Sequence, residues 1–225
     1  MERPLKHIQT VELCGNRVSC ISRDEVQKLG ASLEDTGFVY IKGHGLSARF
    51  LNDCYACYER FFSLPYEVKQ KYARPDIGFQ RGWTPPHREL AVGMEEPDRK
   101  ENLFFGPRSV SPELTEQFPS LYPANIWPKE VPELESLTGP LYAYLGVIAY
   151  DVLLVLAKYI DLPATHLSNL VDGAPHVMRP LYYPPSVGKR SNAPWGGEHV
   201  DINFLTILPP ATAGGLKIRK RDGEW

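Results

Sequence analysis

The sequence has few cysteines, almost no net charge and no internal repeat. Its 4 cysteines are too few for a disulfide framework in a chain of 225 residues. Because 25 basic and 27 acidic residues leave a net charge of -2, no overall field attracts nucleic acid or anionic lipid. Residues 1–17 lack the apolar stretch of a secretory signal. The composition therefore predicts a cytoplasmic protein that binds neither nucleic acid nor a membrane.

One stretch, residues 141–160, is apolar enough to be considered as a membrane span. It is almost long enough to cross a bilayer, but Asp151 and Lys158 interrupt it and four tyrosines are scattered along it. A buried core helix explains this composition better than a transmembrane helix does.

The pair Cys54 and Cys57 has the spacing of a redox site or of half a zinc site. No second pair of cysteines or histidines completes a zinc site, and the pair lies inside a helical pattern. Packing on one face of that helix is the favoured interpretation.

Hydrophobic periodicity predicts several helices, followed by a run of strands. Ser22 and Glu25 form a capping-box pattern that begins a helix ending at about Thr36, where Gly37 closes it. Further helices are predicted at 47–62, 65–72, 140–160 and 164–171. Strands are predicted at 18–21, 38–41, 176–183, 198–208 and 215–220, with a turn and a returning strand at 221–225.

Residues 75–132 are rich in proline and glycine and show little periodicity. So long an irregular stretch in a compact domain is often functional, and we expect it to lie over a substrate mouth. The order of the elements predicts an α+β protein. Residues 1–130 would form an N-terminal region of helices, strands and loops, and residues 131–225 a core helix followed by a sheet, in one continuous domain.

The most informative segment, residues 196–208, contains His199, Asp201 and Asn203. In a strand, side chains two residues apart share a face, so these three would point one way, and Val200 and Ile202 would point into a core. A buried carboxylate needs a cation, a hydrogen-bond network or water. Imidazole and carboxylate with open coordination positions are the ligands associated with non-haem iron(II). A solvated strand face or a local His–Asp hydrogen bond is the alternative interpretation.

Eight blocks, in order along nearly the whole chain, resemble the isopenicillin N synthase-like, 2-oxoglutarate and Fe(II)-dependent oxygenases. The blocks are residues 37–45, 61–69, 78–85, 98–101, 125–128, 179–185, 199–206 and 214–225. They are similar to that family's GFF…NHG, FFxLPxExK, GY…GYxP, DxKE, NxWP, RxxxYPP, HxD…LT and GGL…GxW motifs. Each block alone is modest, but eight in the family's order are specific.

The resemblance implies a distorted double-stranded β-helix (jelly roll), incomplete at the C-terminus, with the N-terminal helices packed outside it. It also implies that His199 and Asp201 bind Fe(II) together with a second histidine, while 2-oxoglutarate and dioxygen take the remaining positions. The reaction would be hydroxylation, desaturation or ring closure of a small organic substrate, coupled to conversion of 2-oxoglutarate to succinate.

Six further residues are candidates for contacts around the iron. By the resemblance, Arg179 and Tyr183 would bind a co-substrate carboxylate. The alternative is a structural ion pair for Arg179 and a core position for Tyr183. Asn203 would support the iron ligands or lie on a wet cavity wall. The loop residues Phe79, Arg81 and Trp83 would contact the substrate or pack within surface loops.

After Asp201 the sequence departs from the family pattern. The family's second histidine and its Arg-x-Ser, which holds the distal carboxylate of 2-oxoglutarate, lie further along the chain, whereas residues 202–225 contain no histidine. His44, His166 and His176 are the remaining candidates for the third ligand. We therefore expect a C-terminally truncated form with weak iron binding and little turnover.

Two other functions fit the same residues. One is an iron oxidase or cyclase that uses no 2-oxoglutarate, like isopenicillin N synthase, and succinate formation distinguishes it from the first. The other is a non-catalytic fragment that acts as a binding module. The sequence predicts neither the substrate nor the oligomeric state.

Overall fold

A computed structural model of the protein describes residues 8–13, 21–185, 195–219 and 223. Helices and strands are both present in this part of the chain, as predicted. In chain order they are β1 (Thr10–Glu12), α1 (Arg23–Thr36), β2 (Tyr40–Lys42), α2 (Ala48–Phe62), α3 (Tyr66–Gln70), a 3-10 helix (Pro75–Ile77), β3 (Gly82–Thr84), β4 (Glu101–Phe104), α4 (Pro112–Gln117), α5 (Glu133–Tyr159), α6 (His166–Val171) and β5 (Leu181–Tyr182). Most of the strand predicted at 18–21, and the turn and strand predicted at 221–225, lie outside the described residues.

Contacts within the chain divide it into two compact units. The first consists of Met1–Leu46, Tyr144–Asp172 and Asn203–Trp225, and the second of Ser47–Ala143 and Gly173–Ile202. The 27 residues of α5, about 40 Å in length, contribute to both units, which divide between Ala143 and Tyr144. The boundary at residue 130 within one continuous domain stays a prediction.

In the first unit, α1 packs on a two-stranded parallel sheet formed by β1 and β2. The predicted capping box is confirmed, because the Ser22 hydroxyl accepts a hydrogen bond of 3.1 Å from the Glu25 N–H. Gly37 ends the helix with a φ of 76°, which a residue without a side chain adopts at no steric cost. The buried core consists of Val11, Leu13, Ile21, Val26, Leu29, Ile148, Val152 and Val155.

The apolar run at 141–160 forms the greater part of α5 and contributes to two buried clusters. Ile148 and Val152 pack with residues of α1 and β1, and Leu153 packs with Leu167 of α6. Among the described residues, α5 is the one helix long and apolar enough to cross a membrane, although the core helix of a soluble protein passes the same test. Of its most apolar window, 39% is buried, and the core helix stays a prediction.

The second unit contains a three-stranded antiparallel sheet in the order β3–β4–β5. Every residue of β3 and β4 is buried. Aromatic contacts join the helices to this sheet. The ring of Phe62 in α2 stacks on Tyr182 of β5 at 5.2 Å between centroids, and Tyr66 at the start of α3 meets Trp83 of β3 edge to face at 5.3 Å.

A buried ion pair fastens α3 to the same sheet. The Lys69 ammonium lies 2.8 Å from the Glu101 carboxylate of β4, and both side chains are less than a tenth exposed. Lys69 also donates to the carbonyl of Phe62, and the indole N–H of Trp83 donates to Glu101. Both charges therefore have several partners, which a buried charge requires.

The predicted strands near the C-terminus are shorter than expected or absent in the described part of the chain. Of residues 176–183, only β5 and a single bridge from Met178 to Phe105 are paired. Residues 198–208 and 215–219 are irregular. An extended segment becomes a strand only beside a partner for its N–H and C=O groups. The described residues place no such partner next to these segments. The paired strands of the described residues form two small sheets, β1–β2 and β3–β4–β5, and the jelly roll stays a prediction.

Candidate iron site

His199 and Asp201 lie side by side on an irregular segment of the second unit. The Nε2 atom of His199 is 3.4 Å from Oδ1 of Asp201, and the two side chains are 61% and 50% exposed. Val200 and Ile202, which were expected to enter a core, are 87% and 104% exposed. The two predicted ligands therefore converge as expected. The expected strand with a buried apolar face is wrong, because no neighbouring strand covers it among the described residues.

The geometry of this pair fits a shared divalent cation. Metal bonds to nitrogen and oxygen of about 2.0–2.2 Å place neighbouring ligand atoms roughly 3–3.5 Å apart, in agreement with the 3.4 Å separation. The Nδ1 of His199 lies 2.9 Å from the Gly197 carbonyl oxygen. Because a carbonyl only accepts, this contact is a hydrogen bond when Nδ1 carries the proton, and the neutral ring then has the Nε2 lone pair free for a cation shared with Asp201. Metal-binding histidines usually have this arrangement.

Within the described residues, no group of three or more His, Cys, Asp and Glu side chains is placed to hold a metal ion. The predicted replacements His44, His166 and His176 therefore do not complete a three-residue site there. His44 instead accepts a hydrogen bond from the backbone N–H of Leu46. The candidate site consists of one imidazole and one carboxylate.

The segment that carries these ligands packs on an irregular loop, residues 87–98. A backbone hydrogen bond of 2.7 Å, from the Asp98 N–H to the Glu89 carbonyl, closes the base of this loop. Gly197 lies directly on it, since a Cβ atom added to Gly197 would be 2.6 Å from the Cβ of Ala91. Only a residue without a side chain fits at this contact.

The imidazole of His199 lies at an open cavity of about 550 Å³. The cavity is lined by Val92, Gly93, Met94, Glu198, His199 and Val200. Half of these residues come from the 87–98 loop, which is part of the irregular region that was expected to lie over a substrate mouth. The cavity thus brings apolar side chains of that loop next to a predicted metal ligand.

Four charged side chains form a chain of ion pairs that ends on the ligand segment; we call it the Arg179–Asp98 network. Arg179 bonds to Glu89, Glu89 lies 3.0 Å from the Lys100 ammonium, and Lys100 bonds to Asp98. Asp98 Oδ1 then accepts a hydrogen bond of 2.8 Å from the Gly197 N–H. The side chains of Lys100 and Asp98 are 9% and 4% exposed. Two acidic and two basic groups thus balance one another.

The network shifts the pKa of two of its members. Burial alone would raise the pKa of Glu89, but the hydrogen bonds and charges of Arg179 and Lys100 together hold it below its ordinary value. Burial alone would lower the pKa of Lys100, but its bonds to Asp98 and Glu89 raise it above its ordinary value. Both residues are therefore charged over a wide pH range around neutrality.

The two predicted co-substrate residues have different surroundings. Arg179 is paired with Glu89, and its guanidinium carbon lies 4.4 Å from the centroid of the Phe104 ring, an arrangement that favours the structural ion pair weighed for it above. Tyr183 is 44% exposed. Partial burial raises the pKa of the Tyr183 hydroxyl, which therefore stays protonated and able to donate at neutral pH. Co-substrate binding stays a prediction for both residues.

Two of the three predicted substrate contacts are fully buried. Arg81 is 1% exposed and donates to the carbonyl oxygens of Pro123 and Gln80, while Trp83 is 0% exposed and donates to Glu101. These side chains are buried inside the second unit, Trp83 within β3, and are not packed in surface loops. Contact with a substrate stays a prediction for both.

The other two candidates lie in more open surroundings. Phe79 is half-buried, has a positive φ of 59°, and its ring lies 5.9 Å from the guanidinium of Arg88. Asn203 belongs to the first unit, where its amide donates to the Thr206 hydroxyl at 2.8 Å. A role beside the iron or the substrate stays a prediction for both.

The predicted cysteine pair is explained by packing. Cys54 and Cys57 are both buried free thiols in α2. Burial raises the pKa of the Cys54 thiol to about 11 and also raises that of Cys57. Thiols held protonated in this way are poor nucleophiles and poor metal ligands.

Sequence reasoning missed Glu89, Asp98 and Lys100 as residues of the site. Asp98 and Lys100 do belong to the block at 98–101, which entered only as a motif of the resemblance. Glu89 gave no signal, because its partner Arg179 is 90 positions away in the sequence.

Comparison with known proteins shows the family that this chain resembles. Residues 15–130 match the family described as the N-terminal region of the non-haem dioxygenase in morphine synthesis. A 2-oxoglutarate-Fe(II) type oxidoreductase of Aspergillus fumigatus is 32% identical over 211 residues, which cover 89% of this chain and 61% of the relative. The chain thus spans about three fifths of the length of that curated relative.

Solved structures show the same relationship. A 2OG-Fe(II) oxygenase family protein from Caulobacter crescentus is 31% identical and superposes with a TM-score of 0.80 over 97% of this chain and 68% of that one. Full-length Neurospora crassa T7H, in complex with alpha-KG and thymine, shares the fold at 18% identity and a TM-score of 0.63. The chain therefore belongs to the 2-oxoglutarate–Fe(II) oxygenase family.

Proposed function

We propose that the protein functions as an Fe(II)- and 2-oxoglutarate-dependent dioxygenase that hydroxylates, desaturates or cyclises a small organic substrate. The observation that carries this proposal is the approach of His199 Nε2 to Asp201 Oδ1, at 3.4 Å, in a chain of this family. The contact of His199 Nδ1 with the Gly197 carbonyl supports it, because it leaves Nε2 available for a metal.

In this proposal His199 and Asp201 hold the iron. When bound, Fe(II) supplies the activation of dioxygen that amino-acid side chains do not provide. The protein orients the imidazole through Gly197 and presents the apolar side chains of Val92 and Met94 beside it. Apolar side chains beside the ligands favour a small, partly apolar molecule.

Tyr183 is the proposed contact to the carboxylate of 2-oxoglutarate. Its hydroxyl is protonated at neutral pH, since burial raises its pKa, and it can donate to a carboxylate. We assign Arg179 to the structural ion pair with Glu89 rather than to the co-substrate. The Tyr183→Phe variant should therefore weaken 2-oxoglutarate binding about tenfold, which is the loss of one hydrogen bond to a charged group.

A cytoplasmic location fits this function. The free thiols of Cys54 and Cys57 are compatible with a reducing compartment, and such a compartment keeps iron in the ferrous state.

Anaerobic calorimetry tests the metal site. The purified protein is titrated with Mn(II), as a stand-in for Fe(II) that does not oxidise, with and without 2-oxoglutarate. We expect weak binding of one ion, strengthened by 2-oxoglutarate and lost in His199→Ala and Asp201→Ala. His176→Ala is the matched control and should bind like the unsubstituted protein. Equal binding by the unsubstituted protein and His199→Ala would refute the proposed site.

Aerobic incubation with Fe(II) then separates the reaction classes. Succinate that forms only in the presence of 2-oxoglutarate, and not with His199→Ala, supports the proposal. Metal binding with oxygen consumption but without succinate would favour the oxidase that uses no 2-oxoglutarate. Absence of any metal binding would favour the binding module.

A further inference from the structure

We propose that Asp98 is a positioning residue for His199 and acts through the backbone of Gly197. This inference rests on the proposed metal site and extends it to a residue that touches neither the metal nor the substrate. Its basis is the juxtaposition of the Asp98 carboxylate, the Gly197 backbone and the His199 ring.

Both hydrogen-bonding groups of Gly197 are in use. Its N–H donates to Asp98 Oδ1 at 2.8 Å, and its carbonyl oxygen accepts from His199 Nδ1 at 2.9 Å. An oriented Gly197 carbonyl favours the ring tautomer with the proton on Nδ1. The carboxylate of Asp98 therefore affects which nitrogen of His199 is free, although the two side chains are linked only through one glycine.

Burial explains why a charged residue serves as this anchor. The Asp98 side chain is 4% exposed and is paired with Lys100, which Glu89 also binds. A hydrogen bond from a backbone N–H to a carboxylate is shorter and stronger than one to a neutral oxygen. The rest of the Arg179–Asp98 network fixes the carboxylate, so the bond to Gly197 has one geometry.

Steric contact with the 87–98 loop also restricts the movement of the segment that carries His199 and Asp201. Gly197 packs on the 87–98 loop so closely that an added Cβ would be 2.6 Å from Ala91 and 3.1 Å from Met94. The loop residues that contact Gly197 and the Asp98 carboxylate that binds its N–H all lie within residues 87–98. Together they leave the ligand segment little freedom to rotate His199 away from Asp201.

The first test needs no metal. Protein with 15N-labelled histidine is examined by NMR at a pH where the His199 ring is neutral, to measure the fraction of ring with the proton on Nδ1. We expect this form to predominate in the unsubstituted protein and to fall several-fold in Asp98→Ala. Asp98→Asn keeps an oxygen acceptor without the charge and should lie between them.

The second readout is Mn(II) affinity with 2-oxoglutarate present. Loss of a group that orients a metal ligand typically weakens binding about 10–100-fold, and we expect a loss in this range for Asp98→Ala and a smaller one for Asp98→Asn. Glu101→Gln is the matched control, since Glu101 is an equally buried, ion-paired acid whose partners are Lys69 and Trp83. It should leave both the tautomer and the affinity unchanged.

The outcomes separate this inference from the proposed function. If the Asp98 variants and Glu101→Gln change His199 equally, Asp98 is only a structural residue and the inference is wrong. If Asp98→Ala, or Asp98→Asn where Asp98→Ala does not fold, leaves the tautomer unchanged, the inference is also wrong. If the tautomer shifts but the unsubstituted protein binds no Mn(II), the positioning role stands and the proposed function fails.

Discussion

Substitution of Gly197 by alanine tests whether the 87–98 loop packs on the ligand segment as described. The new Cβ would lie 2.6 Å from the Cβ of Ala91, whereas carbon atoms in contact are normally about 3.5–4.0 Å apart. Relief of this overlap needs a displacement of about 1 Å in the loop or in the segment. The neighbouring Met94 Cγ, at 3.1 Å, leaves little room on that side.

The expected magnitude follows from the cost of overpacking. Inserting one methyl group into a well-packed contact typically destabilises a protein by about 1–3 kcal/mol. Because the displacement falls two residues before His199, we also expect a weaker Mn(II) affinity. Gly196→Ala is the matched control, since its Cβ would meet Tyr183 at 3.7 Å, an ordinary contact. It should change the free energy of unfolding by less than about 1 kcal/mol.

Urea denaturation of a double-mutant cycle gives the measurement. Ala91→Gly removes the methyl group that Gly197→Ala would strike, and by itself it should cost about 0.5–1 kcal/mol. The double variant should be more stable than the sum of the single effects by about 0.5–3 kcal/mol. Additive effects would refute the contact between residues 91 and 197 and, with it, the steric part of the positioning argument.

Two further predictions concern the charged groups of the second unit. Glu101→Ala leaves the buried Lys69 ammonium without its counter-charge and should lower the free energy of unfolding by about 3–5 kcal/mol in urea, and a loss below 1 kcal/mol would contradict this pair's burial. The folded-state pKa of Glu89 lies below its ordinary 4.5, so its contribution is complete above that pH and is lost as pH falls through the folded value. Thermal melts should therefore show a decline below about pH 4.5 that is smaller in Glu89→Gln, and identical acid limbs would count against the Arg179–Asp98 network.

The helices show how far local signals extend. The serine cap and the closing glycine of α1 are local features, and they gave both ends of that helix correctly. Pro140 was interpreted as the start of the long apolar helix, but α5 begins at Glu133 and continues through this proline. Proline is well accommodated in the first turn of a helix, and it is tolerated inside a helix when packing compensates. The sequence does not distinguish these two cases.

The strands show the opposite limit. Alternating side chains at 198–208 suggested a strand with one apolar face, yet this segment is irregular and Val200 and Ile202 are exposed. Alternation of apolar and polar side chains predicts which face a strand would bury, but it does not predict whether a partner strand lies beside it. Pairing is a property of distant segments, so it is decided by the tertiary structure.

The sequence by itself determined the family, through short motifs in a fixed order, and it predicted His199 and Asp201 as iron ligands, through a spacing of two residues. Both are local properties of the chain. Only the tertiary structure decided that Arg179 pairs with Glu89, and that Asp98 binds the backbone of Gly197 across 99 positions of sequence. A buried charge is stable only with an ion-pair or hydrogen-bond partner, and that partner can come from any part of the chain that the fold places beside it. A local sequence pattern therefore does not predict which residues pair.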